Sequence, residues 1–407
     1  MWPCLFLILV FPFTSAVSLP WSSPGRNGVF SVSKASKPNY KSNGPAEYLR
    51  ALAKWNMNVP TSLAGFVSNK GEVGGIAATN QTDDREYLSS IGIGNPPQEC
   101  QLDLDTGSSD FWVITSNTQT FDAGVGNREI WYPENSSTAE RVNSSHWEIM
   151  YGDGSYAYGQ AWKDTIRFAN ITIDDVIVED ASFVSPTILS DENLSGVLGL
   201  AVGLRSQVRP IQPTLLDKLR PMLDRDLFTV DLKYHAEGLY EFGHVDDSKY
   251  TGDLHWVDLV PNATYWQFSI TGVNVGDSNL WYLSQWSAIA DTGTTLLLLP
   301  SKIVELYYDS VPAAVLNATV GGWTYPCDAD LPVFRLGFDN GYHVSVPGTY
   351  MTFMEVEPGS GVCYGGLQSS LGQPFGILGD VFLKACFAAF DLGGKRVGFA
   401  DKELAED

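Results

Sequence analysis

The chain has 407 residues, 44% of them hydrophobic and 18% charged, a composition that belongs to globular proteins and leaves room for two lobes. Its formal charge of −22 opposes binding to nucleic acid or to an anionic membrane surface. That charge is uneven: residues 17–75 hold seven Lys or Arg against two Asp or Glu, so a basic leader precedes an acidic body.

Residues 1–16, "MWPCLFLILVFPFTSA", place an apolar run before small residues at Ser15 and Ala16. This is the layout of a secretory signal peptide, although no Lys or Arg precedes the run, and it is short for a bilayer span of about 20 residues. The C-terminal "GFADKELAED" offers no hydrophobic tail for anchoring, so a secreted, extracellular chain without a membrane anchor is expected. Seven Asn-x-Ser/Thr tripeptides fit that route. Asn193 stands close to the apolar run that follows it, and the glycosylation expectation rests on Asn80, Asn135, Asn143, Asn170, Asn262 and Asn317.

Residues 17–70 are rich in Ser, Pro, Asn and Lys, as in a propeptide. Within them "PAEYLRALAKW" carries Tyr48, Leu49, Leu52 and Trp55 at the spacing of a short amphipathic helix. A propeptide of this charge is held on an acidic body at neutral pH and loosened when acid protonates the carboxylates. Beyond it, short runs rich in Val, Ile, Tyr, Phe and Thr alternate with Gly, Pro, Asn and Asp turns, as in "EYLSSIGIGNPPQ", "DTIRFANITIDDVIVEDASFV" and "LFTVDLKY", and predict a mainly β body. Helices are expected at 211–223, with Pro213 near the start, and at 301–311, with Ser301 as N-cap and Glu305 in about the first turn. Once Cys4 leaves with the signal, four cysteines allow three pairings. Cys327 and Cys363, nearest in a loop-rich stretch, form the expected disulfide, and Cys100 and Cys386 in apolar runs are expected as buried thiols.

The informative repeat is long. "LDLDTGSSDFW" from residue 102 has a counterpart in "AIADTGTTLLLLP" from 288, and each is followed by an apolar-apolar-glycine element, "SGVLGLA" from 195 and "FGILGDVFL" from 375. Asp105 lies 94 residues before Gly199 and Asp291 lies 88 before Gly379. Two related halves, each offering one Asp-Thr-Gly turn, would meet at a seam between two lobes. Carboxylates brought close together cannot both ionise cheaply, so they share a proton and act as acid and base at once. The neighbours have matching duties. Gly107 and Gly293 allow a sharp turn and close N–H donation, Thr106 and Thr292 can bond across the seam, and Ser108 and Thr294 can bond the outer carboxylate oxygens.

On these motifs, with "YEFGHVDDSKYTGDLHW" beside them, the chain from about residue 86 to 400 resembles the pepsin-like aspartic endopeptidases, and among them the secreted fungal pepsins. The resemblance implies a bilobal β fold with lobes at 71–243 and 244–407, the catalytic aspartates Asp105 and Asp291, no cofactor or metal, protein or peptide substrates, and a monomer. It also implies a flap. "HWEIMYGDGSYAYG" at 146–159 alternates Trp147, Ile149 and Tyr151 before a Gly-Asp-Gly turn, itself a hairpin signal. Tyr151 matches the flap tyrosine whose hydroxyl bonds a tryptophan, here Trp112, and Gly152 and Asp153 form the tip. Asp153 stands where fungal relatives accept a basic residue before the cut bond. An aromatic on a hairpin otherwise simply packs on a core. In the family a propeptide lysine bridges the two aspartates, and Lys54 before Trp55 resembles it, although a lysine at a helix end is ordinarily a solvated charge. Maturation would then fall near residues 70–74.

Other chemistries lack their signatures. His146, His235, His244, His255 and His343 are scattered, without H-E-x-x-H or G-x-S-x-G. A catalytically silent relative that only binds would be expected to lose an aspartate or an adjoining glycine, and a carbohydrate binder would need an exposed aromatic stripe. Asp103 stays open: strand alternation sets it on the face of Asp105, either adding negative charge to the pair or facing solvent where the strand bends.

Overall fold

The computed structural model describes residues 28–36, 43–69, 87–119, 124–150, 156–189 and 193–405. Strands dominate them and form sheets of 14, seven and four strands. The two halves repeat one arrangement. In the first, Gln98–Asp105 lies parallel to Gly196–Gly199 with Asp105 opposite Gly199, and Phe111–Val113 runs antiparallel along the other edge of Gly196–Gly199. In the second, Tyr282–Ala290 lies parallel to Phe375–Leu378 with Ala290 opposite Leu378, and Leu297–Leu299 runs antiparallel along the other edge. One residue further come Asp291 and Gly379, so both Asp-Thr-Gly turns leave their sheets at equivalent points.

Where these strands approach the seam they are covered: Leu102, Leu104, Leu198, Ala288, Ile377 and Leu378 are all fully buried. The glycines of the downstream elements have a steric reason. A Cβ on Gly199 would lie 2.5 Å from the carbonyl carbon of Ser109, and one on Gly379 would strike the carbonyl oxygens of Thr294 and Leu296. In each half the segment after the turn crosses the strand at bare-backbone distance.

The basic leader is built into the body. Its strand Phe30–Ser36 pairs antiparallel with Ala236–Phe242 on one side and with Tyr87–Ile93 on the other. Phe30 stacks on Phe242 with ring centroids 4.8 Å apart. The expected helix forms as Gly44–Lys54, started by the Asn43 side chain, which accepts from the Ala46 N–H. Tyr48, Leu49, Leu52 and Trp55 are buried with Ile289, Leu296, Leu298 and Ile377 of the second half. The Tyr48 hydroxyl donates to the Ser369 carbonyl at 2.6 Å. A second leader helix, Thr61–Asn69, was not expected; its Leu63 packs at Gly321.

Two body helices differ from expectation. The one expected over 211–223 is only Leu215–Leu219: Thr214 and Asp217 form a capping box, and the chain tightens into a 3-10 turn, Arg220–Met222, where Pro221 lacks the N–H to continue an α-helix. The second runs Ser301–Tyr308, with Pro300 at the cap position. Ser301 does not cap; its hydroxyl shares a 2.7 Å hydrogen bond with Ser369, and Glu305 falls beyond the first turn. The strand Leu297–Leu299 feeds straight into this helix, leaving no loop from which a serine could fold back.

Cys327 and Cys363 form a disulfide. Cys100 and Cys386 are buried free thiols, each pushed up to about 12 by burial, where a thiolate nucleophile is not available. Among the described residues no helix is long and apolar enough to cross a membrane.

Candidate active site

Asp105 and Asp291 meet at the seam, 4% and 0% exposed, with their carboxyl groups in hydrogen-bonding contact. Each is held by its own turn. Gly107 N–H donates to Asp105 Oδ1 at 2.7 Å and Gly293 N–H to Asp291 Oδ1 at 3.1 Å. Ser108 Oγ donates to Asp105 Oδ2 at 2.6 Å, and Thr294 Oγ1 donates to Asp291 Oδ2. A Cβ on Gly107 would lie 2.5 Å from Asp291 Oδ1, and one on Gly293 would collide with the Asp105 carboxylate. Only glycine lets each turn approach the opposite carboxylate so closely.

The threonines fasten the halves. Thr106 Oγ1 donates to the Ala290 carbonyl at 2.9 Å and accepts the Thr292 N–H at 3.0 Å. Reciprocally, Thr292 Oγ1 donates to the Leu104 carbonyl at 2.6 Å and accepts the Thr106 N–H at 3.1 Å. Each hydroxyl therefore bonds the main chain immediately before the opposite aspartate, in a buried setting where an unmade bond would be costly.

Lys54 reaches into this site. Its ammonium lies 2.7 Å from Asp105 Oδ1 and 2.9 Å from both Asp291 oxygens, and the Trp55 indole N–H donates to Asp291 Oδ2 at 3.2 Å. The Trp55 ring meets Tyr265 edge-on at 4.9 Å. Burial pushes both carboxyls up and the lysine charge pulls both down. Asp105 ends below the usual carboxylate range, whereas Asp291 ends above it because the charge on Asp105 opposes its ionisation. Burial works against the Lys54 charge, but the two carboxylates outweigh it and hold that group above its ordinary value.

The arms of the expected flap are a hairpin: Trp147–Met150 pairs antiparallel with the start of Tyr156–Phe168, Trp147 opposite Gly159 and Met150 opposite Tyr156. Tyr151, Gly152 and Asp153 lie outside the described residues. Trp112 is buried and stacks on Trp147 at 6.5 Å, which ties the segment after the first turn to the hairpin. Asn135, Asn143, Asn170 and Asn262 are exposed and Asn193 and Asn317 half-buried; Asn80 lies outside the described residues. Among the described residues no three His, Cys, Asp or Glu side chains converge as a metal site.

Asp103 sits opposite Val197, half-buried in line with Gln101 and Glu99, and Asp105 alone on that face is covered, where the strand enters the seam. The groups acting most strongly on Asp105 are Lys54, Asp291 and Ser108. The notable second acid is Asp110, which closes the same "DTGSSD" stretch and is buried beside Glu179. Two charged residues inside the apolar run "VIVEDASFV" were the available sign of it.

A model of the family described as eukaryotic aspartyl protease matches residues 86–402. The chain is 37% identical over 393 residues to aspergillopepsin-1 of Emericella nidulans, covering 96% of each chain. It is 37% identical over 384 residues to endothiapepsin of Cryphonectria parasitica, covering 92% of this chain and 91% of that one. With podosporapepsin of Podospora anserina it shares 40% identity over 343 residues, 84% of this chain and 80% of the relative. Paired Asp-Thr-Gly turns at the seam of a bilobal β fold and relatives of this kind over most of its length lead to one conclusion: the chain belongs to the eukaryotic aspartyl protease family and is an aspartic endopeptidase.

Proposed function

We propose that the protein is a secreted, acid-acting endopeptidase made as a zymogen, with Asp105 and Asp291 as its catalytic pair. In this reading residues 1–16 are a signal peptide, 17–70 a removable propeptide, and 71–243 and 244–407 the lobes of a glycosylated monomer. The observation that carries it is the meeting of the two buried carboxyls, each fixed by a glycine N–H and a hydroxyl. With one proton between them, the ionised carboxylate takes a proton from a water as its oxygen attacks the scissile carbonyl carbon, and the protonated partner gives its proton to the carbonyl oxygen. The tetrahedral adduct collapses as the amide nitrogen takes a proton and the C–N bond breaks, and no covalent enzyme intermediate forms. Tyr151, Gly152 and Asp153 would close over the substrate above Trp112 and exclude water, with hydrophobic residues favoured around the cut and Lys accepted before it.

The zymogen reading is supported by Lys54 and Trp55, which in the intact chain donate to Asp105 Oδ1 and to both Asp291 oxygens. The test is acidification of the purified chain with a denatured protein substrate, with and without an analogue carrying a hydroxyl between two peptide-like halves. Acid-dependent, analogue-sensitive cleavage is expected, reduced about 100- to 10,000-fold in Asp291→Asn. Undiminished cleavage by that variant would sink the assignment.

A further inference from the structure

We infer that Asp110 and Glu179 form a proton-sharing lock that holds the outgoing side of the first Asp-Thr-Gly turn in acid and lets it go as the pH rises toward neutral. The lock would set an upper pH limit on the enzyme separate from the titration of Asp105 and Asp291.

The turn is sewn to the loop that follows Gly199. Ala201 N–H donates to the Ser108 carbonyl at 2.8 Å, Gly199 N–H to the Asp110 carbonyl at 2.9 Å, and Ser109 Oγ to the Arg205 carbonyl at 3.1 Å. The side chain of Asp110 supplies a further stitch, its Oδ1 accepting the Gln207 N–H at 2.6 Å. Glu179 arrives from the strand Ile171–Val184, 1% exposed, and its Oε1 accepts from Ser206 Oγ at 3.2 Å on the same loop. The Asp110 carboxyl adjoins the Glu179 carboxyl, whose Oε2 is buried without a hydrogen-bond donor among the described residues. Two buried carboxyls bond to one another only with a proton between them.

The surroundings do little to neutralise a second negative charge. Arg209, on the same loop, draws Asp110 down, but as the least of the causes acting on it, and its Nη1 donates to the carbonyls of Ser206 and Val208. Asp180 accepts from Thr115 and Asn117. The neighbouring strands set Ala161 and Trp112 opposite Glu179, neither of them titratable, and Asp105 is committed to the seam. His146 pairs with Arg209 through main chain. Burial accordingly pushes both carboxyls up, Glu179 further than Asp110 because the Asp110 charge adds to it. A raised acid contributes its full stability below its ordinary value of about 4.3 and loses it as the pH climbs toward the raised one. When both ionise, two buried like charges push the loop from the turn that carries Gly107 and Ser108.

The inference rests on the peptidase reading for its effect on rate, but not for its structural readout. Glu179→Gln places a non-titrating donor against Asp110, and Asp110→Asn keeps an acceptor for Gln207 while donating to Glu179. Thermal midpoints and tryptophan fluorescence of the full chain are followed from pH 3 to 8, and cleavage after acid activation over the same range. In the parent the midpoint should fall as the pH rises above about 4.3. In either amide variant the fall, and the upper limb of the cleavage profile, should move up by about one pH unit or more. Upper limbs that coincide with the parent in both variants overturn the lock. So does loss of fold in both at pH 4, where an amide reproduces the bonding of the protonated pair. A chain without peptidase activity defeats the functional reading, and the thermal midpoints then decide the lock alone.

Discussion

Asp105 and Asp291 are legible in the sequence because their motif occurs twice, each time between an apolar run and a downstream glycine element. Asp110 and Glu179 are not, since a charged residue near a strand reads as solvent-facing by alternation, and only the parallel pairing of Phe111–Val113 with Ile171–Val184 brings these two together. Asp103 shows the complementary limit: the period of two correctly shares its face with Asp105, but coverage of that face depends on the other half of the molecule. Asp153 belongs to the same scale. A carboxylate at the flap tip would pair with a lysine before the cut bond, so Asp153→Thr should lower cleavage after Lys relative to Phe about two- to fivefold, in line with one solvent-screened ion pair. Paired peptides differing only at that position measure the ratio, and an unchanged ratio removes the role.

At the level of elements, the leader helix Gly44–Lys54 converts an amphipathic pattern into a plug. Its apolar positions fix it on the second half, and its last residue then arrives between the aspartates. The pattern predicted the helix, but not that its C-terminal end would lie over the seam; only docking determines that. The sign of its pH response follows from Asp105, which Lys54 holds below the ordinary range despite burial. A depressed carboxyl contributes stability above its ordinary value of about 3.9 and loses it as the pH falls through the depressed one, so on the zymogen reading acid releases the helix. Lys54→Ala should therefore activate at a higher pH than the parent, by about one unit or more, as measured by the appearance of cleavage across a pH series. Activation of both chains at one pH would assign Lys54 no blocking role. The two body helices depart from the sequence pattern for local reasons: Pro221 and a direct strand-to-helix junction at Pro300 both override patterns that propensity alone supports.

Across the whole molecule, the seam is joined at its centre by two threonine hydroxyls, so lobe geometry and catalytic geometry are one property. Thr106→Val keeps the shape but leaves the Thr292 N–H and the Ala290 carbonyl without these buried partners. The expected loss is about 1–3 kcal/mol for such a group, read from the denaturant midpoint, with kcat falling more than KM rises. A variant as stable and as active as the parent would show that the hydroxyl bridge is dispensable. The leader strand Phe30–Ser36 has a different kind of importance. Among the described residues it is the link between strands ending at Ala236–Phe242 and strands beginning at Tyr87–Ile93. A cut that frees the leader therefore takes away a strand whose Phe30 to Lys34 stretch pairs with Ala236–Phe242 and whose last two residues pair with Tyr87–Ile93, leaving N–H and C=O groups of both partners unpaired. On the zymogen reading, maturation is thus a repair problem as well as an unblocking one, and the segment that first fills the vacated place decides whether the cut yields a folded protease or a sticky edge.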